Sequence, residues 1–317
     1  MIGEQTPVEQ AKIAPAVLKD CYITGKVKLM RELLKVLKDK GEGGRTGLGF
    51  NESSQLYIDS PEDSVLRFRG KPGKGRAPYI NVVAMGLNVS KGEYTTFNPN
   101  WLWRYVKTGN ADDNFSMYMY EGEKATISFS ASGEHGFNVP LGISQRFDID
   151  EFLKHKLFNE DLHMRIPFIR YEISMASFRV LLERVKIIHP KYFALYSIGG
   201  RLYIYVKARG DSYVDSVGVT GISMYRKGEI DKGLPMFDTY MAVSVDTFET
   251  IVRNFDQISV SLPVEPDSIK TFVIDAVRMV DMSSAITLTL ASGRNLEFKD
   301  CPSIEQMKER LERGEIE

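Results

Sequence analysis

The stretch SMASFRVLLERVKIIH, residues 174–189, places its apolar side chains on one helical face. They recur at the spacing i, i+3, i+4 and i+7, as Phe178, Leu181, Leu182 and Val185. This spacing is typical of an amphipathic helix packed against a core. Three other stretches share the pattern, although Gly109 takes the fourth position in one of them: KVKLMRELLKVLK at 26–38, FNPNWLWRYVKTG at 97–109 and SVDTFETIVRNF at 244–255. The sequence therefore predicts four short helices.

The four helices recur at nearly constant intervals. Their first apolar residues are separated by 72, 76 and 70 residues: Met30, Leu102, Phe178 and Phe248. In three of the helices a residue type that commonly caps a helix N-terminus stands four positions earlier, namely Asn98, Ser174 and Ser244. Such regular spacing indicates an internal repeat.

Strand-rich sequence follows each predicted helix. After the third, residues 192–208 read YFALYSIGGRLYIYVKA, in which Gly199-Gly200 separates two runs rich in tyrosine, isoleucine and valine and predicts a hairpin. Comparable runs follow the other helices, including TISFSAS at 126–132 and AITLTLAS at 285–292. The sequence therefore predicts an α+β fold in which four βαβββ units form two similar domains.

The repeat also divides the chain into segments. Residues 143–168 lack a strand period and separate the second unit from the third, so we interpret them as an interdomain connector. The predicted boundaries are an N-terminal tail at 1–22, a first domain at 23–142, the connector at 143–168, a second domain at 169–300 and a C-terminal tail at 301–317. Both tails are expected to be helical or frayed.

Composition favours a globular protein inside the cell. The chain has 317 residues, of which 43% are hydrophobic and 26% charged, and no apolar run approaches the roughly 20 residues that span a bilayer. Cys21 and Cys301 lie too far apart in sequence to indicate a disulfide framework, and the first residues lack the pattern of a signal peptide. The formal net charge of −1 excludes a uniformly basic surface but allows a concentrated basic one.

No pattern in the sequence predicts catalysis, a metal ion or a cofactor. The four histidines lack metal-ligand spacing with one another or with the cysteines: His135, His155, His163 and His189. The glycine-rich residues 41–50 follow a helix and precede a strand, which is the reverse of a dinucleotide-binding loop, and GKGR at 73–76 lacks the serine or threonine of a phosphate-binding loop. We therefore expect a protein that is not an enzyme.

Four βαβββ units in one chain resemble the DNA sliding clamp family, specifically the two-domain type typified by proliferating cell nuclear antigen (PCNA). The connector lies where that family has its interdomain loop, and FSASGE at 129–134 is similar to a strand segment of eukaryotic PCNA. The resemblance implies a homotrimeric ring that encircles duplex DNA, acts as a polymerase processivity factor, and binds polymerase and clamp loader through peptide motifs near the connector. The basic loop at 70–78, the long connector and the tails depart from the family pattern, which leaves room for a viral or otherwise divergent clamp.

Because the helices face DNA in that family, the resemblance implies that basic residues on their polar faces bind DNA. These are Lys28, Arg31, Lys35 and Lys38 on the first helix, Arg104 and Lys107 on the second, Arg179 and Lys186 on the third, and Arg253 on the fourth. Such side chains neutralise phosphates without reading bases, so binding should be independent of sequence and sensitive to salt. The first helix has an uninterrupted basic stripe, whereas Glu183 and Glu249 stand beside the cations of the third and fourth.

Several alternatives remain open at the level of sequence. A charged helix face can simply be solvated, and Lys71, Lys74 and Arg76 are either a second phosphate contact or incidental loop charge. Trp103 either packs on a neighbouring element or stacks on DNA. For the whole protein, the alternatives are a monomeric or dimeric clamp-fold processivity or transcription factor, and a structural β-rich viral assembly protein without DNA affinity.

Overall fold

The computed structural model describes the greater part of the chain. The described residues are 17–38, 47–51, 53–72, 78–94, 97–120, 124–129, 137–140, 145–148, 159, 164–208, 210–226, 229–233, 236–264, 272–292 and 301–314. All four predicted helices are present among them, and the hairpin predicted at Gly199-Gly200 is confirmed.

The first half of the chain contains two helix-centred units. The first consists of β1 (Val17–Lys26), α1 (Val27–Leu37), β2 (Gln55–Glu62), β3 (Val65–Lys71) and β4 (Tyr79–Met85). The second consists of β5 (Asn88–Val89), β6 (Gly92–Tyr94), α2 (Pro99–Val106), β7 (Asn114–Tyr120), β8 (Lys124–Phe129) and β9 (Phe137–Pro140). The short strand β10 (Gln145–Arg146) follows. β1 begins inside the segment expected to be a tail, because Val17 is already paired with Tyr120 of β7.

The second half repeats this order. The third unit consists of β11 (Phe168–Ile173), α3 (Met175–Ile187), β12 (Tyr192–Ile198), β13 (Arg201–Ala208) and β14 (Asp211–Ser216), and it is followed by β15 (Val219–Arg226) and β16 (Glu229–Ile230). The fourth unit consists of β17 (Thr239–Ser244), α4 (Val245–Asn254), β18 (Gln257–Pro263), β19 (Phe272–Met279) and β20 (Ala285–Ser292). Among the described residues, a fifth helix, α5 (Ile304–Glu312), lies in the predicted C-terminal tail.

The two units of each half exchange their first strands. In the first half β1 pairs with β7 of the second unit, while β6 pairs with β2 of the first. The second half does the same, since β11 pairs with β18 and β17 pairs with β12. Each pair of units therefore forms one intertwined domain, and the predicted α+β clamp fold with two similar domains is confirmed.

A continuous sheet joins the two halves. Strand β4 pairs with β20 in antiparallel register from Ala291↔Tyr79 to Ala285↔Met85. The combined sheet runs β10-β2-β3-β4-β20-β19-β18-β11-β15-β16, with β6 on β2. Among the described strands, β9 and β14 end the other two sheets, whose orders are β5-β1-β7-β8-β9 and β14-β13-β12-β17.

The helices are held to the sheets by the residues that define the repeat. The four anchor residues are at most 1% exposed and belong to one apolar cluster: Met30, Leu102, Phe178 and Phe248. Asn98 caps α2, because its side chain accepts a hydrogen bond from the Asn100 amide at 2.9 Å, and Pro99 occupies the first turn. Ser174 and Ser244 stand at the N-cap positions of α3 and α4, but neither side chain makes a capping hydrogen bond.

Candidate nucleic-acid interface

Arg31 of α1 binds the C-terminal end of α2. Its Nε donates to the Val106 carbonyl at 3.2 Å, and its Nη2 donates to the carbonyls of Lys107, at 2.6 Å, and of Gly109. The last carbonyls of a helix have no partner within the helix and carry the negative end of its dipole, so a guanidinium satisfies both requirements. Arg31 therefore fastens the two helices together, and its hydrogen-bonding capacity is largely used within the protein.

Lys38 is also engaged by α2. Its ammonium lies 4.8 Å from the ring centroid of Trp103, within the range of a cation–π interaction. The Trp103 ring is half-buried and packs against the main core cluster. Of the two alternatives for Trp103, the structure places it in packing between neighbouring elements.

The other two cations of α1 point to solvent. Lys28 is exposed, and Lys35 is 37% exposed with its ammonium 3.9 Å from Glu32. Glu32 is bound more closely by Arg278 of β19, at 2.7 Å, so its charge is shared across the junction of the two halves. The stripe expected to be uninterrupted thus separates into Lys28 and Lys35, which are accessible, and two cations that hold α2.

Helix α2 adds two exposed cations beside these. Lys107 is exposed and makes no ion pair with any described residue. The guanidinium of Arg104 is exposed and lies 4.7 Å from the ring centroid of Trp101. Trp101 did not stand out in the sequence, although its i, i+3 spacing to Arg104 on a helix is the signal that could have identified the pair.

On α3 and α4 the predicted cations neutralise a buried carboxylate. Glu249 of α4 is 3% exposed. Its carboxylate is 3.0 Å from the ammonium of Lys186 on α3 and also binds Arg253, one helical turn further along α4. Burial opposes the charge of Lys186, but its hydrogen bonds to Glu183 and Glu249 raise its pKa. A buried carboxylate without such partners would be strongly destabilising, so these two cations have a structural role.

The accessible positive charge is therefore concentrated on α1 and α2. On α3, Arg179 is exposed without an ion pair to the described residues, while Arg184 is 3.3 Å from Asp215. The same helix exposes two apolar side chains, Val180 at 57% and Ile187 at 78%. The chain thus has a basic surface, formed by Lys28, Lys35, Arg104 and Lys107, which we call the α1–α2 basic surface, and a nearly neutral helical surface in its second half.

The other predicted contact regions are described in part. Lys71 lies over Tyr79, with 5.7 Å between the ammonium and the ring centroid, whereas Lys74 and Arg76 lie outside the described residues. Most of the predicted connector also lies outside them. Its described ends are anchored on the central sheet, because Phe147 and Met164 are buried in one apolar cluster with side chains of β19 and β20.

The described residues offer no metal centre and no membrane span. No three histidine, cysteine, aspartate or glutamate side chains among them come close enough to share a metal ion. None of the described helices combines the length and the apolar character needed to cross a membrane.

Solved structures of sliding clamps share this fold. The PCNA2–PCNA3 complex of Sulfolobus tokodaii matches with a TM-score of 0.54 and 11% identity, over 86% of this chain and 98% of that chain. PCNA of Thermococcus kodakaraensis matches with a TM-score of 0.55 and 9% identity, over 86% and 99%. The DNA polymerase III β subunit of Thermotoga maritima matches with a TM-score of 0.57 and 14% identity, over 91% of this chain and 69% of that chain. No protein-family model and no curated protein matches the sequence. The chain therefore has a PCNA-like DNA-clamp fold, recognised through structure.

Proposed function

We propose that the protein is a sliding clamp: a non-enzymatic processivity factor that encircles duplex DNA without sequence preference and tethers a DNA polymerase inside the cell. The observation that carries the proposal is the β4–β20 junction. It joins the last strand of the first unit to the last strand of the fourth by antiparallel edge pairing.

The same antiparallel pairing between last strands, applied between copies of the chain, closes a ring. The last strands of the second and third units are β9 and β14, and both stand at the edge of their sheets among the described strands. An exposed sheet edge is a template for pairing with another chain. If β9 of one copy pairs with β14 of the next, every junction in the assembly resembles the β4–β20 junction. Three copies then supply the six domains of a PCNA-like ring, and we propose a homotrimer.

The α1–α2 basic surface supplies the proposed DNA contact. Exposed lysine and arginine side chains neutralise phosphates and release counterions, which gives attraction without fixing a position along the duplex. Of the nine cations predicted from sequence, we propose that Lys28, Lys35, Arg104 and Lys107 contact DNA directly, with Arg179 as a single contact from the second half. Arg31, Lys38, Lys186 and Arg253 support the helices that present these side chains.

Polymerase and clamp loader are proposed to bind near the connector through short peptide motifs. The support is the anchoring of the described connector residues Phe147 and Met164 against β19 and β20 of the central sheet. Peptide segments commonly recognise such surfaces through apolar pockets and exposed edges.

A variant with four substitutions tests the DNA contact. Replacing Lys28, Lys35, Arg104 and Lys107 by glutamine removes four accessible cations and should reduce the slope of log K against log salt concentration by up to about 3.6, since each phosphate contact contributes about 0.9. Binding is measured by fluorescence anisotropy on labelled duplex DNA. The control carries four glutamines at exposed cations away from the helices, at Lys91, Arg165, Arg201 and Lys232, and should keep most of the slope. Equal slopes for both variants would refute the proposed interface.

The mass in solution separates the ring from a second candidate. The concentration of accessible charge on one domain also favours a monomeric or dimeric clamp-fold factor that binds DNA from one side. Light scattering at micromolar concentration should give three times the chain mass, and particle images should show rings. A monomer would overturn the trimer while leaving one-sided DNA binding as the function. Absence of any DNA affinity at low salt would exclude both the ring-forming clamp and the one-sided DNA-binding factor, and would favour a structural protein.

A further inference from the structure

The sheet β14-β13-β12-β17 has an aromatic surface on the face opposite α3 and α4. Side chains alternate along a strand, so Phe193 and Leu195 of β12 face the helices, whereas Ala194 and Tyr196 face the other way. Four tyrosines gather on that second face, which we call the tyrosine face: Tyr196, Tyr203, Tyr205 and Tyr240. Tyr196 stacks on Tyr240 with 5.0 Å between ring centroids and meets Tyr205 edge to face at 6.4 Å.

Helix α5 of the same chain covers this face through few apolar anchors. Met307 is fully buried against the tyrosines, and Leu311, one turn later, is half-buried there. The backbone entering the helix is held as well, because the Tyr196 hydroxyl donates to the Pro302 carbonyl at 2.7 Å.

Two cations of α5 complete the contact. The Lys308 ammonium lies 2.6 Å from the Asp238 carboxylate. The guanidinium of Arg310 lies 5.6 Å from the ring centroid of Tyr205 and reaches Ser212 of the edge strand β14 at 3.4 Å. The helix residues that contact the tyrosine face therefore follow a simple pattern: apolar residues at i and i+4, and basic residues at i+1 and i+3.

α5 has the properties of an exchangeable ligand. It has nine residues, and helices of that length are marginal in water unless they are docked. Its capping box, formed by Ser303 and Gln306, defines where the helix starts, and its hydrogen bonds lie within the helix. Elements with so few buried side chains belong to the parts of a protein that open most easily.

We propose that the tyrosine face is a docking site for amphipathic helices, that α5 occupies it in cis, and that a partner protein binds by replacing α5 with a helix of the same pattern. The partner helix carries two apolar side chains one turn apart and basic side chains that reach Asp238 and Tyr205. This site is separate from the α1–α2 basic surface and from the apolar cluster that holds the described ends of the connector, so it does not depend on DNA binding.

A peptide of residues 302–314, PSIEQMKERLERG, is the probe, used with the full-length chain. In the variant Met307→Glu/Leu311→Glu the chain's own α5 cannot bury its anchors, so the labelled peptide should bind at least about tenfold more tightly than to the wild-type protein, whose own helix competes. Glu312→Gln changes an exposed position of the same helix and should behave as wild type. A peptide carrying Met307→Glu should not bind to any of the three proteins.

A second measurement uses the unaltered protein. Amides of α5 should exchange with solvent at least about tenfold faster than those of β12 and β13, which reflects local release of the helix. Failure of the peptide to bind a double variant with wild-type circular dichroism would overturn the proposal, as would α5 exchange as slow as that of the two strands. If the peptide site is filled only in dimers that form by exchange of α5 between copies, the occupant is a second copy and the proposed partner helix is refuted.

Discussion

Replacing Glu249 by glutamine should weaken the fold while strengthening DNA binding. The Glu249 carboxylate is 3% exposed and is shared by Lys186 and Arg253. Glutamine has nearly the same shape and keeps one carbonyl acceptor, but it removes the negative charge. Arg253 then loses the carboxylate that it binds, and Lys186 keeps only its pair with the exposed Glu183.

The expected changes in stability and in DNA binding depend on how exposed the side chains of Lys186 and Arg253 are. Removing one partner of a fully buried ion pair costs about 3–5 kcal/mol. Here Arg253 is 49% exposed and Lys186 is 26% exposed, so water can solvate both in the variant. We therefore expect a loss of about 1 kcal/mol in the free energy of unfolding. The freed Arg253, and Lys186 held only by the exposed Glu183, would together steepen the slope of log K against log salt concentration by up to about 1.8 where both reach phosphates.

Urea denaturation and duplex-DNA anisotropy over a salt series measure the two effects on one preparation. Glu183→Gln is the matched control on the neighbouring helix. It removes an exposed carboxylate from Lys186, which stays bound to Glu249, so stability should change little and the slope should rise by less than about 0.9. An unchanged slope for Glu249→Gln, together with the expected loss of stability, would show that the helices of the second half do not lie against DNA.

Three further predictions concern the helices and their ends. Arg31→Ala should lower the free energy of unfolding by about 1.5–3 kcal/mol, because the α2 carbonyls lose a charged donor, and full recovery by Arg31→Lys would contradict a role for the planar guanidinium. Asn98→Ala should cost about 1 kcal/mol in urea denaturation, whereas Ser244→Ala, which removes no capping bond, should stay within about 0.5 kcal/mol; equal losses would refute the distinction. Burial opposes the charge of Asp238, yet its bonds from Lys308 and the Gly199 amide lower its pKa from the ordinary value of an aspartate. Its stabilisation is therefore complete at pH values above the ordinary pKa of an aspartate and is lost as the pH falls through the lowered value, so exchange of the α5 amides should accelerate there, and Asp238→Asn should abolish the pH dependence.

The helices could be predicted because their signal is local. An apolar residue and its neighbours at i+3, i+4 and i+7 lie on one face whatever the rest of the chain does. The structure buries all four anchors found in this way, Met30, Leu102, Phe178 and Phe248. The roles of the cations could not be predicted in the same way, because their partners are distant: Arg31 binds carbonyls about 75 residues further along, and Lys186 reaches Glu249 from another helix. The exception is Arg253, whose i, i+4 spacing to Glu249 was readable from sequence.

The exchange of first strands between units could not be predicted from the sequence for a different reason. Strands β1 and β6 alternate in the same way whether they pair within their own unit or with the next, so periodicity does not choose between the two pairings. The choice has a physical consequence. With β1 on β7 and β6 on β2, a single βαβββ unit leaves unpaired edges on both sides of its strand set, and only two units together complete a domain. The repeat seen in the sequence is thus half of the structural unit.

This arrangement also limits how copies can meet. Among the described strands, β5 and β17 also end their sheets, so the proposed ring rests on the four last strands, one in each unit, by analogy with the junction inside the chain. Two of the four, β4 and β20, are already joined inside the chain. The remaining two, β9 and β14, belong to different domains and end separate sheets. In the proposed ring their pairing is heterologous, between unlike edges of successive copies, and heterologous contacts produce closed rings when the rotation per copy divides a full turn. Arg310 of α5 reaches Ser212 on the β14 edge, so the helix that covers the tyrosine face lies beside the edge that we propose pairs with the next copy.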